Sequence, residues 1–363
     1  MKESESRSGE IEEPPSRVVY FLGAGATRAD YPEIPLGDDL LDAVLRNEDV
    51  GKEVSAILSM VFTGSSVEPM APKASRPRLD DVFTLMDATL SGRAACPVGW
   101  APEKIPRFRR YLVGAMAKVI TDSIGGKPAP QAKALIARAR EEEAAFISTN
   151  YDVAMDTTLH DLNNVNYGLA IRNHLRFFGP IPDVPGHQDK VRHLMPLSSF
   201  ENIGPTSLLK LHGSLNWLYC SRCDELDITP QYEGATVLLL DPRTGRCAAP
   251  HCTGRYEALL IGPSLEQRYE NRILRETWTM AESTLHDAEK LIIVGYSLPE
   301  ADYLIRAMLV RSFARRSDRV TVVDKQEAGG AQAKTLVSRY RRLLPACSFR
   351  FDGLEGYLST AGP

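Results

Sequence analysis

Four cysteines stand in two close pairs, Cys220 and Cys223 as C-S-R-C and Cys247 and Cys252 as C-A-A-P-H-C, with a loop of about twenty residues between the pairs. Four thiolates in that pattern can close a tetrahedral structural Zn2+ site. The second pair has four intervening residues instead of two, so His251 could stand in for one thiolate. A former metal site held by packing alone is the alternative. A closed site leaves no open position for substrate, so chemistry is expected elsewhere.

Three short turns offer it. Gly23-Ala24-Gly25 follows the apolar run Val18 to Leu22, and Thr27 and Arg28 open a helix-prone segment. Glycines without a Cβ let backbone N–H groups approach a pyrophosphate at a helix N-terminus, although an ordinary tight turn would use the same residues. The full dinucleotide fingerprint is incomplete, because Arg28 stands at the third glycine position. In Thr149-Asn150-Tyr151-Asp152, Asn150 offers a donor and an acceptor and Asp152 accepts; plain turn chemistry is the alternative. In Leu211-His212-Gly213, the imidazole has the proton affinity for acid–base work near neutral pH, or is a loop histidine satisfied locally. His174, His187 and His193 read as surface residues.

The elements that must position these turns follow from periodicity. Val18 to Leu22 reads as a strand buried on both faces. LGDDLLDAVLR, KEVSAILSMVF, LDDVFTLMDATL, the stretch around Phe108 to Ile124, and PQAKALIARAREEEAAF carry apolar residues at helical spacing, forming an insertion expected to cover the pocket mouth. AFIS, SLLK, YEALLIGP, LIIVGYS, RVTVVD and CSFRF read as strands. Helices fall between the later ones, including PEADYLIRAMLVRSFAR with Pro299 and Glu300 in its first turn. Strands alternating with helices imply an α/β fold with a Rossmann-like, doubly wound parallel sheet, whose ligands bind at the carboxyl ends of the strands.

The 363 residues carry a formal charge of −4, which gives no general reason to expect nucleic acid. The first sixteen residues lack an apolar leader and read as disordered, and no apolar run is long enough for a membrane span. A cytoplasmic protein is expected, with cysteines used for metal or as thiols.

In order, GAG at Gly23 to Gly25, TNYD at Thr149 to Asp152, LHG at Leu211 to Gly213, the paired cysteines, GYS at Gly295 to Ser297 and the acidic strand end Asp324 resemble the sirtuin family over roughly Val18 to Phe351. The resemblance implies NAD+ bound between a large sheet, a helical module and a small zinc-ribbon-like module. It divides the chain into a tail (1–16), a Rossmann-like NAD-binding unit (17–35, 144–215 and 256–354), a helical insertion (36–143), a zinc module (216–255) and a C-terminal tail (355–363). His212 would be the general base, with Asn150 and Asp152 beside it. Gly23, Ala24, Gly25, Thr27, Arg28, Asn150, Asp152, Gly295, Ser297 and Asp324 would bind NAD+, and Cys220, Cys223, Cys247 and Cys252 would hold Zn2+.

Protein-deacylating sirtuins follow the GAG turn with Gly-Ile-Pro-Asp-Phe-Arg; here DYPEIPLGDDLL lacks the Asp-Phe-Arg element. That departure, the tyrosine in TNYD and the helical insertion resemble bacterial defence-associated sirtuin-like proteins, which hydrolyse NAD+ outright. The expected activity is therefore NAD+ glycohydrolysis to nicotinamide and ADP-ribose, as an antiphage effector acting by NAD+ depletion. NAD-dependent lysine deacylation and a non-catalytic NAD or ADP-ribose sensor are the alternatives. An unregulated hydrolase would exhaust the cell, so homo-oligomerisation or an activating partner such as an ATPase is expected.

Overall fold

The computed structural model describes residues 17–62, 76–96, 103–163, 165–168, 175–177, 206–228, 247, 249, 251–264 and 271–360. The expected N-terminal tail, His174, His187, His193 and most of the loop before residue 206 lie outside the described residues. Six parallel strands form the large sheet: β1 (Val18–Leu22), β2 (Ala145–Ser148), β4 (Leu208–Lys210), β8 (Lys290–Val294), β9 (Val320–Val323) and β10 (Ser348–Arg350), in the spatial order β10-β9-β8-β1-β2-β4. Chain order runs one way from β1 to β4 and the other way from β8 to β10. The strand order thus reverses between β1 and β8, which makes a crevice at their carboxyl ends.

Period-2 alternation on β1 feeds two separate cores. Tyr20 and Leu22 face α6 (Pro130–Glu141), α7 (Ala154–Asn163) and α11 (Gly353–Ser359). Val19 and Phe21 face α8 (Arg272–Asp287), α9 (Tyr303–Phe313) and α10 (Ala331–Arg341). These four β1 side chains are wholly buried, each contributing about 1.5–3 kcal/mol of apolar transfer. Helix α8 starts at Asn271, whose side chain accepts from the Ile273 and Leu274 amides and satisfies donors a helix end leaves over.

Between β1 and β2 lie α1 (Ala24–Arg28), α2 (Asp38–Arg46), α3 (Gly51–Val61), α4 (Leu79–Leu90) and α5 (Lys104–Ile124). Helices α2 to α5 share a core around Phe83, Leu112 and Met116 that reaches Leu215 and Leu260. Those two residues belong to a smaller mixed sheet, β3 (Leu175–Phe177), β6 (Glu225–Ile228), β5 (Gly213–Cys220) and β7 (Glu257–Leu260) in that order. Among the described residues no helix is long and apolar enough to cross a membrane.

Four expectations are corrected. YEALLIGP, expected in the large sheet, supplies β7, which pairs antiparallel with β5 at Leu218 and Ala258. The segment before residue 206, expected as loop, contributes β3 beside β6. Pro299 and Glu300 precede α9, because Asp302 occupies its N-cap. The C-terminal tail is mostly helix α11, which buries Leu354 and Tyr357 against the sheet.

Candidate active site at the strand ends

The turn after β1 is clasped by the turn after β8. The Gly23 and Gly25 amides donate to the Val294 and Gly295 carbonyls at 2.9 and 2.8 Å. A Cβ on Gly23 would lie 2.5 Å from the Gly295 oxygen, and one on Gly25 2.7 Å from the Gly295 Cα. The glycines thus answer first to the close approach of two backbones, and the amides expected to meet a pyrophosphate are engaged with the neighbouring turn.

The turn after β2 is tied to the same place. The Thr149 amide donates to the Leu22 carbonyl at 3.0 Å. Asn150 Nδ2 donates to the Gly23 carbonyl at 3.0 Å and to Thr27 Oγ1 at 3.1 Å, and Thr27 Oγ1 donates to Asp152 Oδ2 at 2.9 Å. Asp152 Oδ1 accepts the Ala154 amide at 3.0 Å at the start of α7. Burial pushes the Asp152 carboxyl up, against the opposing pull of Lys210 and these donors. With its oxygens so used, Asp152 fixes the loop. The Asn150 Oδ1 atom is buried with no hydrogen-bond partner.

Lys210 ends β4 and is 1% exposed; its Nζ donates to the Asp152 carbonyl and to Asp156 Oδ2 at 2.6 and 2.8 Å. Asp156 also accepts the Tyr167 hydroxyl. This network was missed in the sequence, where a lysine inside the apolar run SLLKLHG is its one signal.

His212 follows at the next turn, 4% exposed. Its ring stacks on Tyr151, centroids 6.0 Å apart. Nε2 is buried without a hydrogen-bond partner, 3.8 Å from Asp302 Oδ1. Burial lowers the imidazole's proton affinity, and Asp302 and the Thr149 carbonyl work against that. The His212 carbonyl accepts the Ile261 amide at 2.9 Å, joining the turn to a cavity of about 280 Å3 between α4, α5, β7 and the start of α8.

One hydrogen-bonded cluster therefore gathers Gly23, Gly25, Thr27, Asn150, Asp152 and Gly295, with the His212 ring beside it, stacked on Tyr151. Ala24 sits in the first turn of α1. Arg28 is exposed and reaches the Ile34 carbonyl at 3.4 Å. Ser297 is exposed, its carbonyl accepting from Arg339 at 3.2 Å, and Asp324 Oδ1 accepts from Gln326 at 3.1 Å. Among the described residues these last three stand apart from the cluster, with partners of their own.

Beside the small sheet, at the end of β5, the Sγ atoms of Cys220, Cys223, Cys247 and Cys252 lie within 4.8 Å of one another. The pairs Cys220–Cys252 and Cys223–Cys247 are 3.8 and 3.5 Å apart. Bonds of about 2.3 Å to a tetrahedral Zn2+ place sulfurs about 3.8 Å apart, so the four cysteines could hold that ion. His251 is exposed and outside the cluster, which leaves four thiolates as the ligand set. Amides of Ala249 and Gly254 donate to Cys247 and Cys252 sulfurs at 3.4 and 3.3 Å, as second partners that would orient the ligands.

The chain is similar to solved sirtuin structures. One, described as "The Structural basis of Sirtuin Substrate Affinity", is 15% identical with a TM-score of 0.43, covering 96% of this chain and 95% of that one. Another, "Sir2-p53 peptide-NAD+", is 14% identical with a TM-score of 0.41, covering 95% and 91%. No family model and no curated protein matches the chain. A likeness of this degree says nothing of activity.

Proposed function

We propose that the chain is an NAD+ glycohydrolase. The observation that carries this reading is the pair of buried acceptors, Asn150 Oδ1 and His212 Nε2, left without partners at the ends of neighbouring strands beside the β1 turn. Buried polar atoms are rarely left unpaired, so these two suit a guest that brings hydroxyl donors, such as a ribose and a water. NAD+ would lie across the β1–β8 crevice with its nicotinamide ribose towards them. As the ring nitrogen–ribose bond breaks, its electron pair leaves with nicotinamide. Water adds to the ribosyl carbon and gives its proton to His212 Nε2, leaving ADP-ribose. Depletion of NAD+ as an antiphage effector, released by self-assembly or by a partner such as an ATPase, is the biological role this chemistry would serve.

The intact four-cysteine cluster favours one second reading, NAD-dependent deacylation of acyl-lysine, in which the acyl oxygen replaces water as nucleophile. Chromatography of NAD+ incubated with the protein, with and without an acetyl-lysine peptide, tests both. Nicotinamide and ADP-ribose formed without peptide, and lost in His212→Ala and Asn150→Ala, are expected. Products that require the peptide and include acetylated ADP-ribose would replace hydrolysis with deacylation.

A further inference from the structure

The turn between β8 and α9 holds an uncommon shape: Gly295 has φ 61°, and Leu298, wholly buried, has φ 54°. A non-glycine residue in the left-handed region costs about 1 kcal/mol or more and persists where its surroundings hold it. Tyr340 of α10 supplies one hold, donating its hydroxyl to the Tyr296 carbonyl at 2.7 Å. Tyr296 supplies the next, donating its own hydroxyl to Asp302 Oδ2 at 2.6 Å. The result is a carboxylate with 7% exposure whose second oxygen stands 3.8 Å from His212 Nε2. That separation is too long for a hydrogen bond and short enough for an ion pair. Nε2 is the ring nitrogen on this side, and in the neutral imidazole it can offer its lone pair to a proton.

We infer that Asp302 is the positioning residue for the His212 base, holding the imidazolium that forms when Nε2 takes the proton of the attacking water. The inference rests on the reading of His212 as that base. The water's O–H bond breaks and its oxygen bonds to the ribosyl carbon, so a new positive charge appears on the ring in a site closed to solvent. There a carboxylate at this distance acts more strongly than it would in water. The other face of the ring meets Tyr151, whose phenol is kept neutral by burial and by Asp302, with Arg109 of α5 opposing. Among the described residues, Asp302 is thus the charged group that acts on the imidazole.

The test is a pH titration of the ring by NMR on histidine-labelled protein, assigned with His212→Gln, for the wild type, Asp302→Asn and Tyr296→Phe, beside NAD+ turnover. In Asp302→Asn the His212 titration should move to lower pH. Turnover should fall about tenfold or more with KM little changed, and the acidic limb should follow the titration. Tyr296→Phe should shift the titration less, in the same direction. An unmoved titration in folded Asp302→Asn overturns the inference; if that variant does not fold, an unmoved titration in Tyr296→Phe does so. A wild-type chain that leaves NAD+ intact while the titration still shifts would sink the hydrolase reading and keep the Asp302–His212 pairing.

Discussion

The four-cysteine cluster and the strand-end site both withhold polar atoms from water, and they differ in what they leave over. In the cluster four sulfurs converge on one point, two of them already accepting backbone amides. At the strand ends Asn150 Oδ1 and His212 Nε2 are buried without partners, and Ser214 Oγ and Asn216 Oδ1 follow them in β5. A metal bound by all four cysteines would have its coordination full, whereas the strand ends hold buried acceptors without partners. Two buried polar groups in one molecule can thus be told apart by counting partners. The full one suits holding, and the incomplete one suits reacting.

His212→Ala should separate them most sharply. NAD+ cleavage should fall by about 10²-fold or more, while metal content and melting temperature stay near those of the wild type. Equal losses of turnover and metal would erase the distinction. Cys220→Ser with Cys247→Ser is the converse. Metal measured by atomic absorption should drop from one ion per chain to none, and the small sheet should lose protection from hydrogen exchange by several kcal/mol. Protection of β1 and β2 should change far less.

Gly295→Ala asks how tightly the strand-end turns are clasped. Its Cβ would intrude on the backbone of Gly25 and Ala26 at a left-handed φ. A loss of about 2–4 kcal/mol in urea unfolding is expected. A variant as stable as the wild type would show that the two turns can part.

The smallest effect is that of pH. On the proposed mechanism neutral His212 takes the proton, so kcat/KM should rise with pH through its titration, and burial places that rise below the pH of an exposed histidine. The same lowering means the folded chain binds fewer protons than the unfolded one. Stability from this group is therefore complete above the ordinary histidine value of about 6.5 and is lost as pH falls below it. An acidic limb at or above that value would show that Asp302 outweighs burial.

Much of the fold was legible because its signals are local. Alternation and β-branching mark β1, and the helical period in LDDVFTLMDATL matches α4 residue for residue. The Rossmann-like order followed from alternating strands and helices. What escaped depends on distant pairing. Nothing local in YEALL says that its partner is β5 and not the large sheet. Pro299 suggested a helix start, but the left-handed Leu298 and the Tyr296–Asp302 bond delay it to Tyr303, and so hid Asp302. Lys210 reads as a flaw in an apolar strand until Asp156 and the Asp152 carbonyl appear beside it. The glycines at positions 23 and 25 were noticed for what they could bring to a ligand, while their contact with Gly295, some 270 residues away, could not be read from either segment.

The order of the sheet also sets a timetable. Among the described strands β1 comes earliest in the chain and lies between β2 and β8, so one edge waits for residue 145 and the other for residue 290. At about 5–20 residues per second, the second edge stays open for roughly 15–50 s of translation. For that interval one edge of a largely apolar strand has no partner on the nascent chain, a template for any other extended segment nearby. The insertion of helices α2 to α5 follows β1 immediately and has a core largely its own. Its early folding beside the ribosome would leave β1 as a short tether, and the yield of active protein should depend on what shields those five residues until the chain's last fifth arrives.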